Sequence, residues 1–131
     1  MANSPVKFHG VTPILKVESM AKSLAYYRDV LGFEVDWEWG KPTGFACVSR
    51  DDVCLFFCEG AQGASGTWIS LFVEDVDALH EQYEAAGATI IQAPINYSWG
   101  MREMNVEDPD GHRLRIGQNT EEPPDGIPLP E

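Results

Sequence analysis

With 131 residues, 44% of them apolar, the chain has the size of one domain and enough apolar side chains to bury a core. Its 21 acidic and 9 basic residues give a net charge of −12. That balance argues against nucleic acid and anionic membrane surfaces, which require clustered Lys and Arg, and it suits a cationic ligand, although acidic charge also serves solubility alone.

Val11 to Val17 reads as a strand. Ser19 is a good helix N-cap, Leu24, Tyr27 and Leu31 share one face of a helix over residues 20–31, and Gly32 stands where a C-cap takes a left-handed residue. Three strands follow, over 34–39, 45–49 and 53–58, the last two joined by a turn at Arg50-Asp51-Asp52. The pattern then recurs, with a strand over 67–73 and an N-cap at Asp75. Val76, Leu79, Tyr83 and Ala86 form a helical stripe over 76–86, closed by Gly87. Short strands are expected over 89–92, 102–106 and 113–117, with Asp108-Pro109-Asp110-Gly111 as a turn.

The halves align at an offset of about 56 residues: Val17-Glu18-Ser19-Met20 on Val73-Glu74-Asp75-Val76, Tyr27 on Tyr83, and Asp52 on Asp108. This predicts two copies of a strand–helix–three-strand unit. Each copy packs its helix on one side of its sheet and leaves the other side free to line a cavity. Residues 60–66, rich in Gly, Ala and Ser, form a linker. Residues 121–131, rich in Pro and acids, are expected to be poorly ordered.

No segment approaches the roughly 20 apolar residues of a membrane helix. The first residues lack a basic stretch followed by an apolar run, so no signal peptide is expected. Cys47, Cys54 and Cys58 show no scaffold spacing, and reduced thiols in a cytoplasm are the simplest expectation.

The phrases Ser23-Leu24-Ala25-Tyr26-Tyr27-Arg28-Asp29-Val30-Leu31-Gly32-Phe33 and Glu107-Asp108-Pro109-Asp110-Gly111-His112, set in two copies of this unit, resemble the vicinal-oxygen-chelate (glyoxalase/bleomycin resistance/dioxygenase) superfamily over roughly residues 8–118. The resemblance implies an α+β fold: two βαβββ units forming a cupped mixed sheet around a cavity, in a homodimer. One domain is expected over 1–120, with units about 8–60 and 66–118 and an acidic, Pro-rich tail over 121–131. The metal enzymes of this superfamily carry His and Glu ligands at positions that match Thr12, Phe56, Trp68 and Arg115. None of these suits a divalent cation, so no metal, cofactor or catalytic residue is assigned. His9, His80 and His112 are read as surface or capping residues.

Val11-Thr12-Pro13-Ile14-Leu15, Arg50-Asp51-Asp52-Val53-Cys54-Leu55-Phe56 and Ser98-Trp99-Gly100-Met101-Arg102-Glu103 resemble the bleomycin-binding resistance proteins of that superfamily, with Met101 as an insertion. The likeness implies a hinge at Pro13, an exchanged arm of about residues 1–12, and sequestration of a cationic aromatic antibiotic in a dimer-interface groove. The implied ligand residues are Asp36, Trp37, Phe45, Phe56, Trp68, Trp99 and Arg115: aromatic faces to stack a planar ligand and a carboxylate for its cation.

The residues by themselves leave two readings of the strand over 34–39. By alternation Glu34, Asp36 and Glu38 share one face, so the acids flank a ligand or face water while Trp37 and Trp39 fill the core. The thiols share the parity of Phe45 and Phe56, either as small buried hydrophobes or as cavity groups with a soft-metal or thiol-reactive function. A glyoxalase- or dioxygenase-like enzyme acting on a small molecule, with Arg115 and Tyr97 as polar groups, is the alternative function.

Overall fold

The two caps read from the sequence open the two helices. Ser19 and Asp75 have extended backbone, and their side chains accept the amide N–H groups of Lys22 (3.3 Å) and Ala78 (3.0 Å), satisfying first-turn donors that have no partner within the helix. Gly87, at φ +86°, closes the second helix in the left-handed region that other residues avoid.

A computed structural model describes residues 6–60 and 62–126. The first unit comprises β1 (Ile14–Lys16), α1 (Met20–Ala25), β2 (Glu34–Trp39), β3 (Phe45–Arg50) and β4 (Val53–Cys58). The second comprises β5 (Trp68–Phe72), α2 (Val76–Ala86), β6 (Thr89–Asn96), β7 (Met101–Glu107) and β8 (Arg113–Asn119). The sheets are ordered β1-β4-β3-β2 and β5-β8-β7-β6, and in each the first and last strands of the unit pair in parallel. The expected pair of βαβββ units and the α+β class are both observed.

Three elements differ from expectation by three residues or more, and the remaining differences are of one or two residues. The first strand is confined to Ile14–Lys16, because Pro13 brings no N–H to the ladder, though its carbonyl accepts from Phe56 N–H at 3.0 Å. The helix expected over 20–31 is α-helical only to Ala25 and continues as a π-helical turn over Tyr26–Val30, where Leu31 N–H reaches back to Tyr26 O at 3.0 Å. Strand β6 runs past Pro94 to Asn96, which is tolerated because β6 is an edge strand. Of the tail, residues 121–126 are exposed and outside any helix or strand, and 127–131 lie outside the described residues.

One core joins both units. Leu15, Leu24, Tyr27, Leu55 and Phe57 from the first pack with Val76, Leu79, Met104, Leu114 and Ile116 from the second. The polar seam runs between the first helical segment and the β7–β8 turn. Tyr27 OH donates to Asp108 Oδ2 (2.8 Å), Ser23 OH to Asp110 Oδ2 (3.0 Å), and Tyr26 OH to Glu107 O (2.8 Å). His112 belongs to this seam and corrects the surface-or-capping reading. It is fully buried, its Nδ1 accepts Thr67 N–H (3.0 Å), and its Nε2–H therefore donates to Lys16 O (2.7 Å). With the helices and core on one side of each sheet, the opposite faces stay open. No helix among the described residues is long and apolar enough to cross a membrane.

Candidate functional site

On the open face of the first sheet, an irregularity in β2 decides which side chains appear. Val35 lies opposite Val48 and Trp37 opposite Cys47, so Asp36 is the extra residue of a β-bulge. Beyond it the alternation is reversed. Trp37 and Trp39 fall with Cys47 and Phe45 on the open face, whereas Glu38 falls opposite Ala46 on the other side. The structure therefore corrects both readings of this strand: the three acids do not form one row, and the tryptophans do not fill the core. Trp37 is 43% and Trp39 71% exposed.

The bulge sets Asp36 beside Trp37. Trp37 stacks on Phe45 (centroids 5.7 Å, 25°), and Phe56 lies 5.5 Å from Trp37 and 5.4 Å from Phe45. Such mutually contacting rings form a platform for a flat ligand. An open depression of about 470 Å³ continues from Phe45 past Trp39, Pro42 and Cys58.

Asp36 also faces the thiols. Its Oδ1 accepts Ser49 OH at 2.9 Å, and Oδ2 lies 3.7 Å from Cys47 Sγ, which is 3.0 Å from Cys54 Sγ. Burial, then the neighbouring Cys54 and Asp36, push the Cys47 thiol up to about 12, so it is protonated at neutral pH.

The open face of the second sheet carries a cation-and-ring arrangement. Arg115 donates through Nε and Nη2 to Glu103 Oε1 (2.8 Å) and Oε2 (3.2 Å), and Trp99 Nε1–H donates to Glu103 Oε2 (3.2 Å). The Arg115 guanidinium lies 5.5 Å from the Trp99 ring centroid, and Tyr97 stacks on Trp99 at 4.5 Å and 10°. Tyr97 is itself bonded through its hydroxyl to Gln92. Glu103 is nearly buried, and it has room because Gly117 lies opposite: a Cβ there would sit 2.6 Å from Glu103 Cγ. The bond to Glu103 holds Arg115 above the usual guanidinium value. Trp68, 48% exposed, lies 5.6 Å beneath Arg113.

The seven sequence-derived positions thus form two groups. Asp36, Trp37, Phe45 and Phe56 meet on the first sheet, while Trp99 and Arg115 meet on the second, with Trp68 further along β5. Among the described residues no hydrogen bond, ion pair or ring contact joins the groups. Glu103, which organises the second group, was not singled out as a site residue. Its parity with Arg115 across β7 and β8 was the available signal, since Asn105 opposes Arg115 and Glu103 opposes Gly117. The positions matching the superfamily's metal ligands supply a hydroxyl, two aromatic rings and a guanidinium. That donor set does not fit a divalent metal, and no metal-dependent step is derived there.

Among solved structures, the fold is similar to a bleomycin-binding protein complexed with bleomycin (26% identity, 86% of this chain and 99% of that one, TM-score 0.72). It is similar, too, to a bleomycin resistance determinant encoded on transposon Tn5 (26% identity, 86% and 98%, TM-score 0.73). TioX from Micromonospora sp. ML1 shares the fold at 20% identity (84% and 99%, TM-score 0.72). Uncharacterized proteins of Mycobacterium bovis and Mycobacterium tuberculosis are 36% identical over 85 residues, 60% of this chain. The chain spans about half the length of these curated relatives (55% and 49%). Residues 9–116 match the sequence family described as Glyoxalase/Bleomycin resistance protein/Dioxygenase superfamily, and the chain belongs to that superfamily.

Proposed function

We propose that the protein binds a cationic, aromatic small molecule of the bleomycin type without changing it chemically, and so sequesters it. The observation that carries this reading is the bulge in β2, which places the Asp36 carboxylate beside the Trp37–Phe45–Phe56 ring cluster on an open sheet face. A planar cation needs that pair of features: rings to stack on and an acid to neutralise it. The net charge of −12 adds long-range attraction for cations. The likeness to a bleomycin-binding protein supports the choice of ligand class.

The groove is completed, in this reading, by a second copy of the chain. Trp37, Trp39, Trp68, Phe72 and Trp99 are all exposed large apolar side chains, the kind of surface a partner subunit covers. Before Pro13, Phe8 is 94% and Val11 92% exposed, as suits an arm that packs on a partner. The three free thiols suit a reducing, cytoplasmic setting.

Titration of the full chain with bleomycin, read by tryptophan fluorescence, tests the assignment. Saturable quenching at one site per chain is expected; absence of binding overturns it. Light scattering that gives twice the single-chain mass at micromolar concentration is expected alongside.

A further inference from the structure

Asp36, Cys47 and Cys54 come from three successive strands, yet their ligand-capable atoms all lie within 4.8 Å of one another. The sheet register produces this meeting. Cys47 opposes Phe56 and Ser49 opposes Cys54, so the two thiols are diagonal neighbours on one face of β3 and β4. The β2 bulge turns Asp36 onto the same face. Ser49 then holds Oδ1 of Asp36, leaving Oδ2 toward the Cys47 thiol. Among the described residues no cationic side chain bonds to any of the three.

We propose that Asp36, Cys47 and Cys54 form a binding site for one thiophilic divalent cation of the Zn²⁺/Cd²⁺ class, with Ser49 positioning the carboxylate and a fourth coordination position open to the groove. Two sulfurs and one carboxylate select soft and borderline ions over Mg²⁺ and Ca²⁺. With bonds of about 2.3 Å to sulfur and 2.0–2.2 Å to oxygen, a tetrahedral centre holds its donors about 3.5–3.8 Å apart. The sulfurs, 3.0 Å apart, need to separate by less than about 1 Å to reach that spacing.

The competing use of two close thiols is a disulfide, and the register disfavours it. Diagonal residues of an antiparallel pair have Cα atoms about 7–8 Å apart, at or beyond the roughly 7 Å limit for bridging without backbone movement. Metal binding needs no oxidant: each S–H bond is replaced by a metal–sulfur bond, and two protons pass to solvent. The site is separate from Thr12, Phe56, Trp68 and Arg115 and draws all its donors from one sheet of one chain; it shares Asp36 with the proposed ligand groove, so a bound metal and a cationic ligand compete for that carboxylate.

The test is titration of the reduced, full-length chain with Cd²⁺ under anaerobic conditions, followed by the ultraviolet thiolate-to-metal charge-transfer band and by proton release. One Cd²⁺ per chain and two protons per Cd²⁺ are expected. Cys47→Ser and Cys54→Ser should each lose the band, while Cys58→Ser and Trp37→Ala titrate like the wild type. Ser49→Ala should keep the band with about tenfold weaker affinity, the loss usual for a group that orients a ligand. Cys54 is only partly buried, so its serine variant carries the test if Cys47→Ser fails to fold, with circular dichroism confirming the fold. Failure of the reduced wild type to bind one equivalent, persistence of the band in Cys54→Ser, or its loss in Cys58→Ser would overturn the site. Bleomycin binding by Cys54→Ser reads the ligand proposal separately.

Discussion

The hydroxyl of Tyr27, fully buried in the first helical segment, donates a 2.8 Å hydrogen bond to Asp108 Oδ2 in the β7–β8 turn of the other unit. Asp108 Oδ1 accepts the amides of Asp110 and His112, each at 2.9 Å. One carboxylate thus shapes its own turn and fastens it to the opposite helix.

Asp108→Ala should therefore cost about 2–4 kcal/mol, since it leaves the Tyr27 hydroxyl buried without its acceptor, and Tyr27→Phe should cost less, about 1–2 kcal/mol. Urea unfolding measures both. Burial holds the Asp108 carboxyl above its ordinary value, outweighing the bond from Tyr27. A group raised in the folded state contributes stability that is full below its unfolded value of 3.8 and is lost as pH rises through the folded value. The stability of wild type relative to Asp108→Asn should accordingly increase as pH falls from neutrality toward 4, provided both remain folded. A difference that moves the other way refutes this account.

A second tie is His112, whose ring bridges Thr67 N–H and Lys16 O, partners that set its tautomer. His112→Ala removes both bonds and opens a cavity at a fully buried position, so it should cost about 2–4 kcal/mol. Because the ring faces the seam rather than a groove, bleomycin affinity of the folded variant should be unchanged. A large affinity loss without a stability loss would contradict this assignment.

The history of these residues in the sequence shows what a pattern can carry. The repeat, its caps and its apolar stripes were legible because helix and strand periodicities act locally: β2, β4 and α2 were read to the residue. The function of His112 was not legible, because it depends on the packing of one unit on the other. The bulge at Asp36 was hidden for a different reason. Strict alternation puts Asp36 and Trp37 on opposite faces, and only a slip in strand pairing, which is settled between strands, brings them together. Glu103 is not marked by the sequence alone, because an acid on a strand reads as solvated until its partners, Arg115 and Trp99, are placed.

Gly117 tests that arrangement. Any Cβ there meets Glu103 Cγ at 2.6 Å and Arg102 O at 2.9 Å, and the backbone oxygen cannot yield easily. Gly117→Ala should push Glu103 away from Arg115 and Trp99, costing about 1–3 kcal/mol of stability through overpacking. It should also shift the Trp99 fluorescence. Arg115→Met should produce a similar spectral shift, because it removes the guanidinium that lies over the indole and pairs with Glu103. An unaltered spectrum in both variants would show that Trp99 is not held by this cluster.

The ligand reading distinguishes the two sheet faces by their chemistry. Trp37→Ala removes a ring that touches both Phe45 and Phe56, and an aromatic contact contributes about 0.5–1.5 kcal/mol beyond area burial. With the buried area of an indole added, bleomycin affinity should fall by more than about tenfold, or about 1.4 kcal/mol. Trp37 is 43% exposed, so the stability loss should stay small. Trp99→Ala should weaken binding comparably if the second sheet's face shares the groove, as a dimer-completed cavity requires. It should leave the fold intact, since Trp99 is 42% exposed at the mouth of the β6–β7 hairpin. Asp36→Asn keeps the shape and removes the charge. Its effect should be larger at low salt than at 1 M salt, where the screening length shrinks to about 3 Å. Three affinities at two ionic strengths separate the contributions. Loss with Trp37→Ala but not with Trp99→Ala would confine the ligand to the first sheet and exclude the shared groove. Wild-type affinity in all three variants would remove the stacking-and-carboxylate account altogether.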